Sequence, residues 1–309
     1  MQVLIPFASA NSEAAAHVLR DLTLPTLTRL LQQLTPTWRD ETDESTLSPP
    51  HERALAAAWG WPLVDGALPF AASAAAADGV AVGHAAWCLL TPAHWLAGRD
   101  HVTMGDPDTL LLAAAESRSL FDAVRPLFES EGFTLAWGAP LRWYAAHPTL
   151  DGLPSASLDR AIGRSIDAWS PKTDQGRVMR RLQSEVQLTL YTHPLNDDRE
   201  ARGVPTINSI WISGCGVHRE ACGTPIERLD ALRAPLLAMD WVGWADTWRE
   251  LDAGPLKALL QRHEAGERVS LTLCGDRAAQ RFETQPRSLL RSVARRWQAP
   301  SVPSILEAL

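Results

Sequence analysis

Apolar positions recur along this chain with two different spacings, and the spacing changes at proline and glycine. Met1–Phe7 (MQVLIPF) is a short apolar run that predicts a buried first strand. From Asp174 to Leu190, the residues Val178, Leu182, Val186 and Leu190 fall on one stripe, so this stretch reads as an amphipathic helix. His193-Pro194 stops it, because proline cannot continue a helix and restricts the residue before it. A polar loop follows, Gly203-Val204-Pro205 turns the chain, and Thr206–Ile212 has strand composition. Gly214-Cys215-Gly216 then ends that strand in a flexible turn whose backbone N–H groups can face a small anion. Upstream, Asp106 as N-cap and Pro107 as first helical residue open a helix that runs to Phe128. Strands follow near Phe133–Trp137 and at Arg142–Ala145. Trp241, Trp244 and Trp248 are spaced for packing at a helix start. Glu41–Pro50 is polar and turn-rich and reads as a linker, and the alanine tract Ala71–Ala77 as a loop or short helix.

The ordered series His193-Pro194-Leu195-Asn196, Arg199, Gly203-Val204-Pro205, Asn208 and an apolar run ending Gly214-Cys215-Gly216 resembles the cofactor-independent phosphoglycerate mutases of the archaeal type. Other pieces fall in the same order as in that family. Leu24–Leu30 is similar to its Thr-Pro-Asn-Leu-Asp helix start, and Glu116 lies on a helix before a strand. Asp240-Trp241-Val242-Gly243-Trp244 stands where the mutases have Asp-x-x-Gly-His, and Val269–Asp276 where their last core strand ends Gly-Asp-His. A looser similarity is to bacterial mutase-like regulatory proteins of the RpfE type. The resemblance implies an α/β protein of the alkaline-phosphatase superfamily. Residues 1–49 and 225–309 would form a reduced alkaline-phosphatase-like core, and 50–224 an inserted α+β domain. A ligand is then expected in the cleft between the two, at His193, Asn196, Arg199, Asn208, Ser213, Gly214 and Gly216. Asn208, a polar amide in an apolar strand, is either a network anchor or a site residue.

The chemistry implied by the resemblance needs two divalent metals and a serine nucleophile, with carboxylates and imidazoles converging at strand ends. Several of those groups are missing. Pro6-Phe7-Ala8-Ser9 occupies the place of an Asp-Gly pair whose Asp binds metal. Trp244 replaces one His, Arg277 follows Asp276 in place of another, and Ser213 replaces an Arg that binds phosphate. Asp240 and Asp276 remain, flanked by Trp and Arg, and a cation at Arg277 repels a metal. Neither Ser9 nor Ser12 has a recognisable base beside it. The expectation is therefore a non-catalytic, mutase-derived binding or regulatory protein without metal or cofactor. Its partner would be a phosphorylated small metabolite or another protein. The alternatives are a mutase-like phosphotransferase with an altered site, and a tryptophan-rich interaction module.

Composition narrows this further. The chain has 309 residues, a net charge of −7 and 46% hydrophobic residues, enough for one large or two moderate domains. The acidic balance argues against nucleic acid. The basic groups Arg177-Arg180-Arg181 and Arg287, Arg291, Arg295, Arg296 read as solvated helix faces. No apolar run approaches a membrane span and no signal sequence is recognisable, so a cytoplasmic location is expected. Cys88, Cys215, Cys222 and Cys274 are too scattered for a disulfide framework. Cys215, His218 and Cys222 offer only three metal ligands, without the paired spacing of structural zinc sites. Oligomeric state is not legible.

Overall fold

The computed structural model describes residues 1–285 and 301–309, and the chain divides into two compact units. Unit 1 comprises Met1–Ser45, Pro49–Gly60 and Cys222–Leu309; unit 2 comprises Thr46–Ser48 and Trp61–Ala221. The architecture is α/β, with mixed and antiparallel sheets carrying helices. Among the described residues no helix is long and apolar enough to cross a membrane. The basic group at Arg287–Arg296 lies outside the described residues.

Unit 1 is organised around a five-stranded sheet in the order β2 (Thr35–Glu41), β11 (Ala278–Glu283), β10 (Ser270–Cys274), β1 (Gln2–Ile5) and β9 (Ile226–Arg228). β1 lies between β10 and β9 and is parallel to both, with Gln2 opposite Ser270 and Ile226. β11 is antiparallel to β10 and to β2. Alternation puts Val3, Ile5, Leu271 and Leu273 on one face, where they share a core with helices α1 (Glu13–Asp21), α2 (Pro25–Gln33), α10 (Trp241–Ala253), α11 (Pro255–Glu264) and α12 (Val302–Glu307). Helix α3 (Pro50–Ala58) packs on β1, β2, β10 and β11 outside this cluster. The short helix α9 (Arg233–Leu237) precedes α10.

Local chemistry explains the helix ends. Ser12 caps α1 by accepting from Ala15 N–H at 3.1 Å. Pro25 starts α2, whose free amides at Thr26 and Leu27 are taken at 3.1 and 2.7 Å by the buried carboxylate of Asp252 on α10. The polar linker expected at Glu41–Pro50 is shorter in the structure, because Glu41 ends β2 and Pro50 opens α3.

Unit 2 carries an antiparallel sheet in the order β6 (Thr134–Ala139), β7 (Arg142–Ala146), β3 (Ala86–Ala93) and β8 (Ser209–Val217). Helices α5 (Ala114–Glu129) and α7 (Arg177–Tyr191) cover one face, and α4 (Phe70–Ala77) packs against β3 and β8 on the other. The hairpin β4 (Trp95–Ala97) and β5 (Val102–Met104) and the short helices α6 (Leu158–Ala161) and α8 (Pro194–Ala201) complete the unit.

Three expected elements are corrected here. The helix expected from Asp106 to Phe128 is broken: Asp106 caps only a 3₁₀ turn over Pro107–Leu110, Leu111 turns left-handed at φ +49°, and α5 starts afresh at Ala114. The polar loop after His193-Pro194 is helix α8, since a proline that cannot continue one helix is well suited to open the next. Gly214-Cys215-Gly216 does not end its strand, because β8 runs through it to Val217.

Candidate functional site

Two places carry the residues that the sequence singles out, one in each unit. In unit 2 these residues bind one another and the backbone around them. His193 caps α8, its Nδ1 accepting from Leu195 N–H at 3.2 Å. Asn196 is buried. Its Nδ2 donates to the carbonyls of Leu190 and Ile207, and its Oδ1 accepts from Ile207 N–H, each at 2.8 Å. One side chain thus ties the end of α7 to the start of β8. Arg199 is 1% exposed, and its guanidinium donates to the carbonyls of Pro205 (2.8 Å) and Leu110 (2.5 Å) and pairs with Glu116 at 2.7 Å. Glu116 also pairs with Arg202. Burial opposes ionisation of Glu116, but Arg202, the Ala113 N–H and Arg199 together outweigh it and hold the carboxyl below its ordinary range. Asn208 anchors the β4 hairpin, accepting from Trp95 N–H at 2.7 Å and donating to Trp95 carbonyl at 2.9 Å.

The glycines of β8 are shaped by a helix. Gly214 and Gly216 have φ of +66° and +141°. A Cβ on Gly214 would stand 2.8 Å from the backbone nitrogen of Ala71, and one on Gly216 would stand 3.0 Å from Cβ of Pro69. Their missing side chains are therefore what lets α4 sit directly on the strand. Ser213 is buried beside them.

In unit 1 the site predicted from strand ends is the carboxyl edge of β1 and β10, where open parallel sheets commonly bind ligands. The chain leaves β1 through Phe7, a bulky residue held in the left-handed region at φ +58°. Trp244 fixes that turn from α10: it is fully buried, and its indole N–H donates to Phe7 carbonyl at 3.1 Å. The Phe7 ring lies against His51 of α3 with centroids 5.1 Å apart. Trp241 and Trp248 meet Trp244 edge-on at 6.2 and 6.4 Å. Asp240 caps α10 through Gly243 N–H at 2.9 Å. Asp276 accepts from Asn11 N–H at 3.2 Å. The turn after β10 is filled by Leu309, whose carbonyl accepts from Arg277 and Ala278 N–H at 2.9 and 2.6 Å; a Cβ on Gly275 would strike it at 2.6 Å. Of the positions that the resemblance gives to metal ligands, Phe7 and Trp244 thus meet through a hydrogen bond, and Asp240 serves as a cap. This donor set does not fit a two-metal site: an indole N–H is a donor only and cannot ligate a cation. Among the described residues no three His, Cys, Asp or Glu side chains are grouped closely enough to hold a metal ion.

His51 and Leu309 were missed in the sequence. Neither belongs to a motif, and their role is visible only as contacts made across long stretches of chain. No protein-family model matches this chain, and no curated protein matches it. Among solved structures it is similar to the cofactor-independent phosphoglycerate mutase from Thermoplasma acidophilum DSM 1728, with 14% identity and a TM-score of 0.37, covering 93% of this chain and 90% of that one. It is also similar to the PH0037 protein from Pyrococcus horikoshii, with 11% identity and a TM-score of 0.47, covering 92% of this chain and 87% of that one.

Proposed function

We propose that this chain is a non-catalytic binding or regulatory protein with a mutase-derived, alkaline-phosphatase-like core in which two-metal phosphoryl transfer has been lost. The ordered motif from His193 to Gly216 supports the ancestry. The observation that carries the loss is the Trp244 indole bonded to the Phe7 carbonyl, at positions where the resemblance calls for a metal-binding imidazole and an Asp-Gly turn. A packed indole and phenyl ring stabilise the strand end and leave no lone pairs directed at a cation. What remains for such a protein is recognition, of a phosphorylated small metabolite or of a protein partner. The test measures metal content of the purified chain together with interconversion of 2- and 3-phosphoglycerate in added Mn, Co or Mg. The expected result is neither stoichiometric metal nor turnover. Metal-dependent turnover that a chelator abolishes would overturn the reading in favour of a phosphotransferase with an altered site.

A further inference from the structure

The register of β3 and β8 sets two buried thiols opposite each other. Trp87 pairs with Gly216 and Leu89 with Ser213, so the single residue Cys88 faces two residues, Gly214 and Cys215. This is a β-bulge whose first residue is a left-handed glycine. The extra residue reverses the alternation of β8. Ile210 and Ile212 point into the core under α5 and α7, and beyond the bulge it is Cys215, one residue out of phase with the Gly214 of a regular strand, that rejoins that core. Cys88 and Leu90 of β3 point into the same core. Both thiols are free and fully buried, and each influences the ionisation of the other. At such a bulge two residues share the place opposite one, and Cys88 and Cys215 enter the same core from neighbouring strands, as a disulfide between strands requires.

The two sulfurs are not equivalent. The neighbouring Cys88 thiol, reinforced by the Ser155 hydroxyl, holds the Cys215 thiol below its ordinary range, while burial pushes Cys88 well above it.

We propose that Cys88 and Cys215 are a redox pair that closes to a disulfide between β3 and β8 on two-electron oxidation by a peroxide. The Cys215 sulfur attacks one peroxide oxygen, the O–O bond breaks, and hydroxide leaves as water after taking a proton, giving a sulfenic acid. The Cys88 sulfur then attacks the Cys215 sulfur. An S–S bond forms, the S–O bond breaks, and a second water leaves with the Cys88 proton. Two thiols and one hydrogen peroxide become one disulfide and two waters. The bond locks the bulge on which α4 is seated.

The experiment uses the full chain carrying Cys222→Ser, which removes the exposed thiol. The protein is treated with hydrogen peroxide, denatured in an alkylating agent and mapped by peptide mass spectrometry. The expected result is a linked Cys88–Cys215 peptide, two fewer alkylated thiols, and a melting temperature raised by roughly 5–15 °C that dithiothreitol reverses. Cys88→Ala and Cys215→Ala should each abolish that rise. Should either variant fail to fold, the peptide map of the parent decides alone. Recovery of both cysteines fully alkylated after prolonged peroxide, or over-oxidised without a linked peptide, overturns the proposal.

Discussion

Trp244→His restores the residue type that the mutase resemblance expects, and the structure gives the cost. The indole is fully buried among Trp241, Trp248 and the strand end. A buried tryptophan removes roughly 150–250 Å² from water, and at about 25 cal/mol per Å² this contributes about 4–6 kcal/mol. The smaller imidazole keeps part of that and leaves a void, and large-to-small changes of this kind cost about 3–5 kcal/mol. The Phe7 carbonyl also loses its donor. Trp244→Phe separates the two effects: it keeps most of the apolar body, strands the carbonyl, and should cost about 1–3 kcal/mol. Urea unfolding followed by circular dichroism, with and without Mn or Zn, reads both variants, with a second probe to resolve the transitions of the two units. The expectation is a large loss for His that added metal does not restore. A loss below about 1 kcal/mol, or metal-dependent recovery of Trp244→His, refutes the claim that Trp244 is a wedge in place of a ligand.

Gly214→Ala should destabilise unit 2, by about 1–2 kcal/mol for the left-handed backbone and by about 1–3 kcal/mol for the clash with Ala71; an unchanged urea midpoint refutes this. Asn208→Leu should cost about 1–3 kcal/mol and expose the β4–β5 hairpin to faster hydrogen exchange, with unchanged protection there as the contrary result. The third concerns acid. Asp78 is held below the ordinary carboxylate range by the two-point hydrogen bond from Arg142, joined by the hydroxyl of Tyr144 at 2.6 Å, and Glu116 is held below it by Arg202 and Arg199 against the opposing effect of burial. Both contributions are therefore present at neutral pH and are lost as pH falls below about 4. Asp78→Asn and Glu116→Gln should each lower stability at neutral pH and flatten its decline in acid, seen in melting temperature against pH; an unaltered acid limb counts against the assignment.

Strong local patterns were readable from the sequence. The run at Met1–Phe7 became β1, and the stripe of Val178, Leu182, Val186 and Leu190 became α7. The spaced tryptophans marked the start of α10, where Asp240 is the cap. What escaped depended on distant chain. Nothing local distinguishes a proline that ends α7 from one that opens α8, and both readings of Pro194 are physically sound. Gly214 reads as a strand end, yet β3 on one side and Ala71 on the other make it a bulge within a strand. Leu111 breaks the expected long helix without any glycine or proline to announce it. At the site, Asn196 and Arg199 resemble ligand-binding groups because their chemistry is the same: a buried amide and guanidinium satisfy backbone carbonyls as readily as a phosphate. Only the partner list separates the two uses, and sequence does not contain it.

The position of β1 has a consequence for synthesis. Its neighbours on both sides are made very late: Met1 donates to Arg268, 267 residues further along the chain. At about 5–20 residues per second, the first strand waits on the order of 13–50 s on the ribosome for β10 to emerge. Throughout that interval Val3, Leu4 and Ile5, buried in the finished molecule, have no sheet to enter. Unit 2 lies almost wholly between those events and can complete its antiparallel sheet before β10 is made. β1 is therefore made well before both strands it lies between, and its pairing waits on them.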